Sequence, residues 1–152
     1  MDFSLEYYSS PNYQALPESV RKVFTRSRHQ ATKHRKERKS STAEGRKNWA
    51  LSYEEFAALY ARSGGRCEVS YVPFDSTPRT DGRKSPRALS IDRKDPTKCY
   101  SYDNCRLVCY WVNTALNQWG DEELRYFSNQ VVSAAKEQED PSHIFAVTCF
   151  WL

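Results

Sequence analysis

The stretch that most constrains the fold runs from Arg87 to Trp119. It holds two short segments, RALSID and CRLVCY, separated by the loop-like RKDPTKCYSYDN, and the second passes without a break into WVNTALNQW. Side chains two apart share a face of a strand, so Leu89 and Ile91 give the first segment one apolar side. WVNTALNQW predicts a helix with Val112, Ala115, Leu116 and Trp119 as its apolar stripe, stopped by Gly120. The order is therefore strand, loop, strand, helix, with a polar residue at the end of the first strand and another inside the helix.

Helices are expected on both sides of this unit, which makes the class α+β. In LSYEEFAALYARSGGRC, Ser52 followed by Glu55 is a capping box, and Leu51 with Phe56 has hydrophobic-staple spacing. Phe56, Leu59 and Tyr60 share a face, and Gly64 and Gly65 close the helix. RCEVSYVPF predicts a short β segment turned by Pro73, and residues 75–86 a turn-rich loop carrying Arg79, Arg83 and Lys84. Asp121 is the expected cap of a helix over about 122–137 whose Leu124, Phe127, Val131 and Ala134 face inward. The apolar tail HIFAVTCFWL is expected to pack as a strand or an oligomer contact.

Charge is distributed unevenly. Between Arg21 and Lys47 there are eleven Lys or Arg and two Glu, a local balance of +9 in a chain whose net charge is +4, so the remainder is −5. Pro17 opens a predicted helix from about Glu18 to Lys39 whose apolar content is only Val20, Val23, Phe24 and Ala31. A solvated charged helix is the ordinary reading of a charge run. One sign of charge over so long a run instead favours nucleic acid, with Arg26, Arg28, Lys33, Arg35, Lys36, Arg38 and Lys39 as phosphate contacts.

At 152 residues the chain suits one modest domain, read as a basic N-terminal helical arm (1–48), a central ββα domain (49–120) and a C-terminal helix and tail packed on it (121–152). No apolar run approaches a membrane span and the N-terminus lacks an export pattern, so a cytoplasmic protein with no membrane partner is expected. Five cysteines, an odd number, read as reduced thiols.

The span NCRLVCYWVN, from Asn104 to Asn113, resembles the HNH, or His-Me finger, endonucleases, in which an Asn opens the second strand and a His or Asn nine residues on binds metal from the helix. SIDRKD is similar to their first-strand element, closest to small bacteriophage HNH-type proteins with SIDR in place of DH. The likeness covers residues 49–120. It implies a ββα-metal finger flanked by helices, in which Asp92 and Asn113 hold one Mg²⁺ or Mn²⁺ ion and Asn104 fixes the loop through side-chain to backbone bonds. Taken singly, Asp92 and Asn113 would read as ordinary polar residues; the pair at this spacing points to a cation.

Two departures bear on catalysis and on zinc. Arg93 stands where the family's general base His would be, and a guanidinium cannot accept a proton from water, though it can clamp a phosphate. Replacement bases would come from His29, His34, His143 or Asp95. Cys67 and Cys109 fall where the two CxxC pairs of many relatives begin, but Ser70 and Val112 replace the second members, so a structural Zn²⁺ is not expected. Cys105 and Cys109 leave a weak CxxxC alternative. The resemblance thus implies an endonuclease or nickase acting on double-stranded DNA, with Asp92, Arg93 and Asn104 in its catalytic site. The alternative is a catalytically impaired frame that binds nucleic acid or a host or phage defence protein, in a bacterial host cell if of phage origin.

Overall fold

Leu16, Val20 and Phe24 recur at every fourth position and Ala31 follows seven residues on, so a helix through them has one apolar stripe. A computed structural model describes residues 15–37, 49–75, 77, 79–117 and 119–139, with the backbone alone at 33–37 and 139. In it that helix is α1 (Glu18–Glu37), opened by the Pro17 carbonyl, which accepts the Val20 and Arg21 amides at 2.9 and 3.1 Å. The stripe is buried: Phe24 is fully covered and packs on Trp49, Tyr53 and Phe56, with ring centroids 5.2, 4.1 and 5.1 Å away. The few apolar residues of α1 thus suffice to build it into the core. The side chains of Lys33, His34, Arg35 and Lys36, and all of Arg38, Lys39 and His143 with the C-terminal tail, lie outside the described residues.

The second helix, α2 (Tyr53–Ser63), begins at the expected capping box, with Ser52 Oγ accepting the Glu55 amide at 3.1 Å and Glu55 Oε2 accepting the Ser52 amide at 2.8 Å. It ends at Gly64, whose φ of 57° is the left-handed conformation that favours a residue without Cβ. Strands β1 (Leu89–Arg93) and β2 (Cys105–Cys109) form a two-stranded antiparallel sheet, with Ile91 opposite Leu107 and Asp92 opposite Arg106. Helix α3 (Tyr110–Leu116) follows β2 directly, and α4 spans Gly120–Glu139. Among the described residues the architecture is α+β: four helices and this sheet.

The chain divides into two compact units, Met1–Thr114 and Ala115–Leu152. In the first, one face of the sheet, bearing Leu89, Ile91, Cys105 and Leu107, joins a single core with Val20 and Phe24 of α1 and Phe56 and Leu59 of α2. A two-stranded sheet is marginal alone; burying one face against two helices is what stabilises it. RCEVSYVPF is a tight turn rather than a strand: Arg66 bridges Pro73, and the Tyr71 amide donates to the Cys67 carbonyl at 2.8 Å. That turn covers the free edge of β2. The Glu68 amide donates to the Leu107 carbonyl at 2.9 Å, and the Leu107 amide donates to Glu68 Oε1 at 2.7 Å. Arg62 clamps the same carboxylate from α2 through two bonds of 3.0 and 3.1 Å.

In the second unit, Leu124 of α4 is half-buried, but the rest of the face expected to turn inward is exposed. Phe127 and Val131 are 62% and 69% exposed, and Trp119, expected on the stripe before it, is 63% exposed. The periodicity made a helix, but a stripe is buried only where another surface meets it.

Candidate functional site

Strand alternation sorts the sequence-singled residues onto two faces. Ser90, Asp92, Arg106 and Val108 point away from the core cluster, whereas Arg93 follows Leu89 and Ile91 onto the core side of the strand end. Asp92 and Arg93, adjacent in sequence, therefore do not converge. Asp92 is buried, and its Oδ2 accepts Arg106 Nε at 2.8 Å in an ion pair whose side chains are 10% and 12% exposed. Arg93 turns the other way. Its Nη1 donates to the Lys98 carbonyl at 2.9 Å, and its guanidinium lies 4.8 Å from the centre of the Tyr100 ring, which itself stacks on Trp49.

Asn113 reaches the Asp92 face from α3. Its Nδ2 donates to Ser90 Oγ at 2.7 Å and to the Ile91 carbonyl at 3.4 Å, tying the helix to the first strand. Asp92 and Asn113 thus share one side of the sheet. Their oxygen donors are of the hard kind that suits Mg²⁺ or Mn²⁺, but the arrangement matches a cation poorly. Arg106 already neutralises the carboxylate, and Asn113 turns its amide nitrogen, not its carbonyl, toward the strand.

Asn104 is the loop lock. Its Oδ1 accepts the Asp95 amide at 3.0 Å, and its Nδ2 donates to the carbonyls of Asp95 and Cys99 at 3.0 and 2.9 Å. A buried amide can satisfy three backbone groups of an irregular loop at once, which an apolar side chain cannot. Asp95, a suggested base, is tied up by the Thr97 hydroxyl and amide and by Lys98 at 3.4 Å. These bonds, the Thr97 hydroxyl foremost, hold its carboxyl below the ordinary carboxylate range and make it a weaker base. His29 is exposed on α1.

The cysteines fall into two environments. Cys105 and Cys109 sit four residues apart in one strand, about 13 Å along it at the usual rise, too far for one ion. Burial pushes the Cys105 thiol up to about 12 and, with Cys67 nearby, the Cys109 thiol up to about 11. Cys67 lies in the turn on β2. Burial pushes it up, but hydrogen bonds from Ser70, Cys109 and Val69 outweigh this, so its pKa is lowered. The Ser70 amide reaches Cys67 Sγ at 3.4 Å.

No family model, curated protein or solved structure matches this chain. Its site is read from its own residues. Two of them were not singled out from the sequence. Arg106 is the charged member of the otherwise apolar segment CRLVCY, and a charge among apolar neighbours was the available signal. Ser90, the hydroxyl that receives Asn113, had no such signal.

Proposed function

We propose that this chain is a nucleic-acid-binding protein built on an HNH-like ββα frame whose cleavage chemistry is impaired. The observation that carries this choice is the Asp92–Arg106 ion pair. The carboxylate that a metal-dependent nuclease would offer to its cation is held by a guanidinium built into the neighbouring strand. Arg93 stacks on Tyr100 and supports the loop instead of facing Asp92. Binding is supported by α1. Its buried stripe holds the helix in the core and leaves Lys22 and Arg26 exposed, where they can meet phosphates.

A Mg²⁺- or Mn²⁺-dependent nickase is the second reading, favoured by Asp92 and Asn113 sharing one side of the sheet. Both readings take DNA, and one experiment separates them. Wild type and Asp92→Ala are incubated with supercoiled plasmid in Mg²⁺, in Mn²⁺ and in EDTA, and binding to labelled DNA is followed across a salt series. The expected result is no nicking by either protein, with log affinity falling linearly against log salt by about 0.9 per phosphate contact on duplex. Metal-dependent nicking that Asp92→Ala abolishes would establish the nickase. Absence of DNA binding at low salt would remove nucleic acid as the partner.

A further inference from the structure

Away from the Asp92 face, a cavity of about 640 Å³ opens between the first turns of α1, the end of α2 and the 74–89 segment. Four cationic side chains, Lys22, Arg26, Arg83 and Lys84, and two carboxylates, Glu18 and Asp75, line it. Both carboxylates are engaged. Glu18 pairs with Lys22 at 2.6 Å, and Asp75 pairs with Arg87 at 2.9 Å while accepting the Thr77 amide. Among the described residues no carboxylate pairs with Arg26, Arg83 or Lys84, and four cations against two carboxylates leave the described lining with a net charge of +2. Burial, and then the neighbouring Arg26, lower the Lys84 pKa, as expected of a cation drawn partly out of water beside another. An anion in the cavity would offset the excess charge.

The aromatic side chains beside the cavity narrow the choice of anion. Lys84 Nζ lies 4.2 Å from the centre of the Tyr110 ring, so the same residue touches the cavity and an aromatic face. Tyr110 is 40% exposed and the next residue, Trp111, 58% exposed, both in the first turn of α3. Cations beside solvent-facing rings are the combination that holds single-stranded nucleic acid, where phosphates take the charges and unpaired bases stack. A duplex keeps its bases stacked on one another and cannot use the rings.

We propose that this cavity seats a backbone phosphate of a single-stranded stretch of nucleic acid through Arg26, Arg83 and Lys84, with the adjoining base stacked on Tyr110. The phosphate draws Lys84 off the Tyr110 ring and uncovers the face on which the base settles. The proposal rests on the nucleic-acid reading above and adds to it the kind of strand recognised.

The test compares a blunt DNA duplex with the same duplex carrying a single-stranded tail, by fluorescence anisotropy at fixed salt, for wild type, Lys84→Gln and Tyr110→Ala. Thermal melts of all three establish that the exposed-site variants fold. Wild type is expected to bind the tailed duplex about ten-fold more tightly, the contribution of one stacked base and one phosphate seat. Each variant should lose most of that preference while keeping its affinity for the blunt duplex. Equal binding of blunt and tailed duplex by wild type, or a preference that both variants retain, would overturn this proposal and leave the nucleic-acid reading standing. Failure to bind either DNA would overturn both. Excess free 5′-mononucleotide is expected to displace the tail with blunt-duplex binding untouched, because the seat takes one phosphate and one base; a tail preference indifferent to it would overturn the seat.

Discussion

The Asp92–Arg106 pair can be weighed by a double-mutant cycle in urea. Its side chains are 10% and 12% exposed and its atoms 2.8 Å apart, so solvent screens it little. Removing one member of a buried pair leaves the other charge covered by protein, at a cost of about 3–5 kcal/mol; for a pair that still touches water, about 3 kcal/mol is expected of Asp92→Ala. Arg106→Met should cost a similar amount. The double replacement Asp92→Ala with Arg106→Met should cost less than either single change, because no charge is then left in the low-dielectric site. The expected coupling is therefore at least about 3 kcal/mol, read from urea midpoints by tryptophan fluorescence with the slope m unchanged. Single costs below about 1 kcal/mol with a coupling under about 0.5 kcal/mol would refute the pair as the holder of Asp92. Mg²⁺ gives a second reading from the same samples. A ligand that binds only the folded state raises the midpoint, so a Mg²⁺-dependent rise that Asp92→Ala abolishes would return the carboxylate to a metal.

Phe24→Ala empties a fully buried aromatic site shared by α1, Trp49, Tyr53 and Phe56, and should lower stability by about 3–5 kcal/mol; loss of α1 helicity alone, with the β2 amides still protected from hydrogen exchange, would show the helix to be separable. Asn104→Ala removes three side-chain to backbone bonds from the 95–104 loop and should cost about 2–3 kcal/mol, with exchange at the Asp95 amide accelerated; an unchanged exchange rate there would refute its bracing role. Stability should fall above pH 9, because the Cys105 thiol, raised from 9.0 to about 12, keeps its proton in the folded chain while the unfolded chain loses it. Cys109, raised to about 11, adds a decline of the same sign, so the loss approaches about 1.4 kcal/mol per pH unit for each of the two thiols, and Cys105→Ala should remove the Cys105 share and keep the other, measured by urea midpoints from pH 8 to 10.5.

Much of the local structure was legible in the sequence, for reasons that are themselves local. Ser52 and Glu55 lie within one turn, so their reciprocal bonds depend on nothing distant, and the left-handed Gly64 needs only the absence of a Cβ. The two strands and the helix after them follow from alternation and from the turn residues between them. Asn104 was expected as the loop's brace only through the HNH resemblance, and the groups it bonds do lie within nine residues of it.

What only the tertiary structure decided concerns partners far apart in the chain. The sequence shows Asp92 next to Arg93, but the pleat sends them to opposite faces, and the antiparallel register brings Arg106 to the carboxylate across fourteen residues. The basic segment showed its charge plainly and its burial poorly. Whether four apolar residues hold a helix depends on the pocket they meet, here one lined by Trp49, Tyr53 and Phe56. The same physics left Phe127 and Val131 of α4 in solvent despite their helical spacing. Periodicity can say which side of a helix is apolar, but burial and charge pairing are settled by whichever surface the folded chain brings opposite it.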